Sequence, residues 1–514
     1  MQRRNVLLIT VDQWRGDGLS AVGHSVLRTP SLDQLAGKGT LFRNHWANAA
    51  PCGPSRACLY TGTYLHHHRS VLNGTPLADR FTNIARVVRS HGLDPVLFGY
   101  TDTSIDPSTV EPSDPRLRSY EGVLPGFRPI VHDPYEAGSV LWARWLERHG
   151  VDVPTSAHEL YLPKQGVRDA DRHGWTWAPT RFRAEHSETA FMVEEIEHWL
   201  DNHGEDDFFI HASFIRPHPP RRNPEGYHDL YDADQVETFI GAGSSEEEAK
   251  LHPFNEAVMA LRQITAPTEE IERRQLRATY YGAQREVDDQ LGRLFRYLER
   301  TGLAASTLVI VTSDHGDMAG DHWLVEKLGY WDESFHIPLI IVDPYAEVVS
   351  NEVSVPTESV DILPTICEWL GIETPLQADG ASLLPFLHGG PTPEHWRTEA
   401  HFEWDFRSPT TQMAERWFGI PMDHCSLAVV RGDRYKYVQF AADGAILPPL
   451  LFDLERDPDQ VHNLLVEEPA VALEPALRAS QDLLQWRMRT DERLLTGSFL
   501  SSQDGLVVAR DAWR

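Results

Sequence analysis

The chain has 514 residues, 41% hydrophobic and 10% aromatic, which is ample for a large packed core and excludes a disordered polymer. Lysine and arginine total 47 against 76 aspartate and glutamate, a formal net charge of −29 that argues against nucleic acid and anionic membranes as partners. An anionic substrate then needs a local positive site, so arginine, lysine or a metal in a pocket should stand out. The four cysteines, Cys52, Cys58, Cys367 and Cys425, form no CxxC pair and no ladder, so neither a zinc cluster nor a disulfide framework is suggested. The opening apolar run is too short for a signal peptide, and no apolar segment approaches the roughly 18 residues of a membrane span. The expected location is the cytoplasm.

Residues 5–11 are an uninterrupted apolar run, read as a central parallel strand covered on both faces. It ends at Asp12 and Gln13, where open α/β sheets gather ligands. Thr29-Pro30-Ser31 opens a short helix with Leu32, Leu35 and Ala36 on one face. At Cys52-Gly53-Pro54-Ser55-Arg56 a polar turn breaks into a helix, with Ser55 as its expected cap. Cys52 then sits at or just before a helix N-terminus, where the dipole favours an anion, with Arg56 one turn away. A buried structural cysteine beside a Pro-Ser turn is the plain alternative. His66-His67-His68 point in different directions on a helix and read as structural.

Residues 83–90 read as a helix and 95–100 as a strand delivering Tyr100 and Asp102. Residues 104–185 read as a long excursion over the site. Ser187 caps a helix carrying Val193, Ile196 and Leu200, and residues 208–214 form another buried strand that delivers Arg216-Pro217-His218. Residues 221–267 read as a polar loop with a short helix. A long helix follows, striped by Val287, Leu291, Leu294 and Leu298. A second central strand at 307–312 ends at Ser313-Asp314-His315-Gly316, followed by Glu326-Lys327 and a strand at 338–342. Short β pieces at 425–430 and 435–440, a helix at 475–489 and an extended tail at 490–514 complete the chain.

Two strands, about 300 residues apart, each end in an adjacent pair of metal-competent side chains, Asp12-Gln13 and Asp314-His315. Two carboxylates, an amide oxygen and an imidazole make a hard-to-borderline site for one divalent cation; a strand-ending turn is the simpler reading of Asp314-His315-Gly316.

The stretch from Cys52 to Gly62 resembles the sulfatase pattern Cys-x-Pro-Ser-Arg-x-x-Leu-x-Thr-Gly at every fixed position. Gln13 and His315 replace the Asp-Asp and Asp-Asn pairs commonest in that family. They resemble instead the branch of phosphonate monoester hydrolases and related arylsulfatases, as do Phe42-Arg43-Asn44-His45, the 216–220 and 313–316 segments and 434–438. The resemblance implies an alkaline-phosphatase-like α/β fold: a large, mostly parallel sheet sandwiched by helices, a small C-terminal antiparallel-sheet subdomain and an extended tail. Residues 1–395 are expected to form the catalytic domain and 396–514 the C-terminal subdomain. It also implies that Cys52 is converted to formylglycine by a formylglycine-generating enzyme, and that Asp12, Gln13, Cys52, Asp314 and His315 hold calcium or manganese.

In the implied reaction Arg56 and the metal hold the aldehyde hydrate, which attacks sulfur or phosphorus in line, and His218 or Lys327 protonates the leaving alcohol. The remaining hydroxyl then loses a proton and expels sulfate or phosphonate. His218 also reads as a rigid-loop residue and Lys327 as a surface lysine. Asn73 matches a pocket position of this branch, though Asn-Gly is by itself a turn signal. Gly99-Tyr100-Thr101-Asp102 stands where most sulfatases carry Gly-Lys-x-His, with Asp102 replacing a neutral threonine of the phosphonate branch. A carboxylate there repels a dianionic substrate more than a monoanionic one, which is expected to tilt the enzyme toward sulfate monoesters. The leading expectation is an arylsulfatase acting on small anionic esters, with side activity on phosphonate monoesters and phosphodiesters. The alternatives are the reverse order of activities and a non-catalytic metal-binding protein with unmodified Cys52. The tail suggests a homo-oligomer, dimer or tetramer.

Overall fold

A computed structural model describes residues 3–134, 138–167, 170–492, 496, 498–503 and 505–508. Its main sheet is built from β1 (Asn5–Val11), β2 (Thr40–Trp46), β4 (Pro95–Phe98), β5 (Arg128–Val131), β6 (Phe209–Phe214), β7 (Thr307–Ser313), β8 (His336–Val342), β9 (Asn351–Val353) and β10 (Thr357–Glu358); a two-residue strand β3 (Ala49–Ala50) lies outside it. The strand order is β10-β2-β8-β7-β1-β6-β4-β5, with β9 beside β2. Its pairings are parallel except those that β8 makes with β2 and β7.

β1 is buried along its whole length because both faces are covered. Leu7, Ile9 and Val11 pack with the helices Pro30–Ala36, Glu188–His203 and Glu270–Arg300. Val6 and Leu8 face the opposite layer, with Cys52–Thr61, Ile84–Ser90 and Ile362–Leu370. This two-sided burial is why the strand reads as a continuous apolar run rather than an alternating one.

A second sheet of five strands runs β14-β13-β12-β11-β3, where β11 is Ala400–Asp405, β12 Ser426–Arg431, β13 Tyr435–Phe440 and β14 Leu450–Asp453. It is antiparallel except where β11 pairs with β3, the segment just before Cys52. The helix Pro469–Arg489 lies on it through Ala472, Ala476, Leu483 and Trp486.

Four expectations are corrected. The 104–185 excursion contributes β5, an edge strand whose Arg128 and Pro129 face solvent. The 221–267 segment holds two short helices, Ser245–Lys250 and Pro253–Met259. The C-terminal helix starts at Pro469 and carries Pro475 inside it. The part of the tail that is described is a hairpin, Ser498–Ser501 with Gly505–Val508, rather than an extended strap; residues 493–495, 497, 504 and 509–514 lie outside the described residues. Among those described, no helix is long and apolar enough to cross a membrane.

Candidate active site

Parallel registration places the site. Val11 lies opposite Ser313 of β7 and Phe214 of β6, and Phe98 of β4 lies opposite Ala212. The residues that follow, Asp12, Asp314 and Tyr100, therefore emerge side by side at one sheet edge with Ser213. Gly99 permits the close β4–β6 approach: it has φ +104, and a Cβ there would lie 2.1 Å from the Ser213 carbonyl oxygen.

The helix Cys52–Thr61 points its N-terminus at this edge. Ser55 does not cap it, contrary to expectation. It lies within the first turn, and its hydroxyl donates to the carbonyl of Asp314, stapling the helix to the loop after β7. Pro51 occupies the cap position without a side-chain bond.

Asp12, Cys52, Asp314 and His315 are buried, and one donor atom from each lies within 4.8 Å of the others. Cys52 Sγ is 3.2 Å from His315 Nε2. Oδ1 of Asp12 is buried without a hydrogen-bond partner. A buried carboxylate oxygen left bare is costly unless a cation meets it, and two carboxylates, an imidazole and position 52 form a donor set that fits a divalent ion.

Arg56 is fully buried behind this cluster. Its Nε donates to Asp314 Oδ2 at 2.8 Å, Nη2 to Asp12 Oδ2 at 3.3 Å and Nη1 to Ser213 Oγ at 2.7 Å. Burial works to raise the Asp12 pKa, but His218, His315, Arg56 and Lys327 outweigh it and hold this carboxyl below its usual range. Burial and the Asp12 carboxylate push the Cys52 thiol up. Tyr100 donates its hydroxyl to Asp12 Oδ2, and its ring lies 4.4 Å from the Arg56 guanidinium. The structure thus places Tyr100 against Asp12 and Arg56.

Lys327 donates to Gln13 Oε1 at 2.8 Å. Burial works against its charge, but Cys52, Glu326 and Asp12 raise its pKa, so it is held as an ammonium. His218 hydrogen-bonds through Nδ1 to the Pro219 carbonyl at 2.8 Å, and burial and Lys327 lower its pKa. As a neutral imidazole it carries its proton on Nδ1, leaving Nε2 as the nitrogen able to exchange one. Asn73 is exposed and accepts from the Gly53 amide at 2.8 Å. Asp102 is buried with φ +48, and its backbone carbonyl oxygen would lie 2.9 Å from a Cβ at Gly53, so its backbone runs beside the first turn of the Cys52 helix. Burial raises its pKa to about 7; Asp12, Asp314 and Glu121 add to this and Arg56 opposes it. The His66–His68 run is structural: the three imidazoles meet Glu403, Asp379 and Cys58.

Sequence reasoning missed Ser213, Arg221 and Asp317, all buried near this edge. Their only signal was position, at or just beyond the carboxyl ends of β6 and β7.

A family model described as Sulfatase matches residues 4–372, and one described as N-sulphoglucosamine sulphohydrolase, C-terminal, matches residues 320–487. The chain is 40% identical over 523 aligned residues, 99% of each chain, to the multifunctional alkaline phosphatase superfamily protein PehA of Trinickia caryophylli. It is 28% identical to an arylsulfatase of Clostridium perfringens, over 90% of each chain. Among solved structures it superposes on the phosphonate monoester hydrolase of Agrobacterium radiobacter with a TM-score of 0.91 and 40% identity, covering 99% of this chain and 100% of that one. With its β1–β7 edge, its cysteine at a helix N-terminus and its sequence matched throughout, the chain belongs to the sulfatase family of the alkaline phosphatase superfamily and is a hydrolase of ester substrates.

Proposed function

We propose that this enzyme hydrolyses singly charged esters of tetrahedral oxyacids, with phosphonate monoesters and phosphodiesters as its main substrates and sulfate monoesters also turned over. The observation that carries the reaction class is the buried Asp12–Cys52–Asp314–His315 cluster, backed by Arg56 and faced by Lys327. The order of activities reverses the sequence-based expectation. It follows the two full-length relatives at 40% identity, one of them a phosphonate monoester hydrolase, over the arylsulfatase at 28%. The sulfate-first reading keeps one supporting observation, the further arylsulfatase relatives at 24–26% identity.

Asp12, Gln13, Asp314 and His315, with position 52, would hold calcium or manganese, which when bound polarises the ester and lowers the pKa of an oxygen at position 52. Conversion of Cys52 to formylglycine supplies a hydrated aldehyde there, an oxygen nucleophile in place of a thiol that burial keeps protonated. Arg56 fixes both carboxylates from behind and cannot swing out, since every group around it is buried. Tyr100 orients Asp12 by its hydroxyl. The Lys327 ammonium offsets charge that develops on the nonbridging oxygens. His218, with Nδ1 tied to Pro219, has Nε2 free to take up a proton, and only in that imidazolium form does it hand one on to the departing alcohol. The buried Asp102 carboxyl acts electrostatically on Cys52, Asp12 and Asp314; once ionised it adds negative charge that a second substrate charge must meet, so monoanions are favoured over phosphate monoester dianions.

The test is turnover of four aryl esters by one preparation: phenylphosphonate monoester, phosphodiester, sulfate monoester and phosphate monoester. The expected order places the first two highest and the phosphate monoester last. A preference for the phosphate monoester would contradict the charge argument, and a preference for sulfate would restore the arylsulfatase reading.

A further inference from the structure

Gln13 differs from the other cluster residues in having two unlike ends. Only Oε1 can ligate a cation or accept from Lys327; Nε2 is a donor. In the structure Nε2 donates to Asp317 Oδ2 at 2.6 Å and to Glu326 Oε2 at 3.2 Å, while Oε1 takes the Lys327 bond at 2.8 Å. The Gln13 backbone amide donates to Asp314 Oδ1 at 3.2 Å, which ties the residue to the cluster. An inverted amide would press Oε1 against two carboxylates and Nε2 against an ammonium.

The acceptors are themselves held. Asp317 is fully buried, its Oδ1 accepting from the Ala319 amide at 2.7 Å. Its Oδ2 also takes Arg221 Nη2 at 2.7 Å, and the same nitrogen reaches Glu326 Oε1 at 3.4 Å. Arg221 is buried between the two carboxylates. Both Gln13 and Glu326 adopt left-handed backbone, φ 67 and φ 70, which non-glycine residues keep only when their surroundings enforce it. The loops after β1 and β7 thus meet at one amide, and the loop after β6 braces its two acceptors through Arg221.

We propose that Asp317, with Glu326 and under the hold of Arg221, is a positioning residue that locks the Gln13 amide with Oε1 toward the cation site and Lys327. It acts through Gln13. The inference rests on the metal-dependent reading above.

The experiment is a double-mutant cycle read by metal uptake. The full-length chain is stripped of metal and titrated with Mn2+ and, separately, Ca2+ by calorimetry, and unfolding midpoints of each metal-free protein are recorded. In the Gln13 background, Asp317→Asn is expected to weaken affinity by about 10–100-fold, the usual cost of losing the partner that orients a metal ligand. In the Gln13→Glu background the ligand has two equivalent oxygens and nothing to orient. There Asp317→Asn should leave affinity unchanged, or raise it by removing a like charge.

An equal loss in both backgrounds, or no loss with Gln13, overturns the proposal. If Asp317→Asn does not fold, Glu326→Gln carries the same cycle. An unaltered chain that takes up neither cation overturns this proposal and the metal-dependent reading together. A flat cycle in a chain that binds Mn2+ overturns only the orienting role, and the choice among ester substrates does not enter the readout.

Discussion

Asp102 offers a test in which direction and size both follow from the site. Its carboxyl is buried, and its pKa is raised from an ordinary 3.8 to about 7 by burial, helped by Asp12, Asp314 and Glu121 and opposed by Arg56. In an unfolded chain it loses its proton near pH 4; in the folded protein it keeps it until about pH 7. Between those values the folded state binds the extra proton, so stability falls as pH rises, by about 1.4 kcal/mol per unit and about 4 kcal/mol in all for a shift from 3.8 to about 7. Asp102→Asn removes this titration while keeping the shape. The variant should therefore gain on the parent with rising pH, by about 3 kcal/mol between about pH 5 and pH 8, since two of the affected units lie in that window. The assay is urea unfolding of both metal-free proteins at the two pH values. A stability difference that does not change with pH would refute the reasoning, as would a variant less stable than the parent at the higher pH.

Further outcomes follow from the same geometry. Arg56→Met removes the guanidinium that pairs with both buried carboxylates, Asp12 and Asp314, and should cost about 3–5 kcal/mol in metal-free urea unfolding; a loss under about 1 kcal/mol would mean that the pairs are not holding the site. Tyr100→Phe removes a hydrogen bond to the Asp12 carboxylate and should weaken Mn2+ uptake about 10–100-fold by calorimetry, where unchanged uptake would return Tyr100 to a purely substrate-facing role. Asp102→Thr should raise turnover of phosphate monoester relative to phenylphosphonate monoester at a pH where the parent carboxyl is ionised, and an unchanged ratio would sink the selectivity argument.

The central strands were legible because burial on both faces makes an unbroken apolar run: β1 and β7 read directly, and with them the two edge pairs Asp12-Gln13 and Asp314-His315. The strand β2 was not. Its Arg43 and Asn44 interrupt the pattern, and the structure accommodates them as half-buried positions where the pairing with β8 shifts register. The edge strand β5 hid in a proline-rich stretch because only one of its four residues, Val131, is buried. Ser55 was misread because its hydroxyl serves a long-range contact to Asp314 rather than its own helix. The Arg221–Asp317–Gln13 arrangement had no local signature at all, since its members lie 96 and 304 residues apart and meet only when three loops converge.

The central claim, hydrolysis that depends on conversion of Cys52, is tested most directly by measuring phenylphosphonate monoester turnover against the fraction of Cys52 converted, in metal-saturated preparations made with different amounts of the converting enzyme. Peptide mass spectrometry gives the fraction converted. The account predicts turnover proportional to that fraction, extrapolating to zero. Turnover that persists with Cys52 wholly unconverted would contradict it.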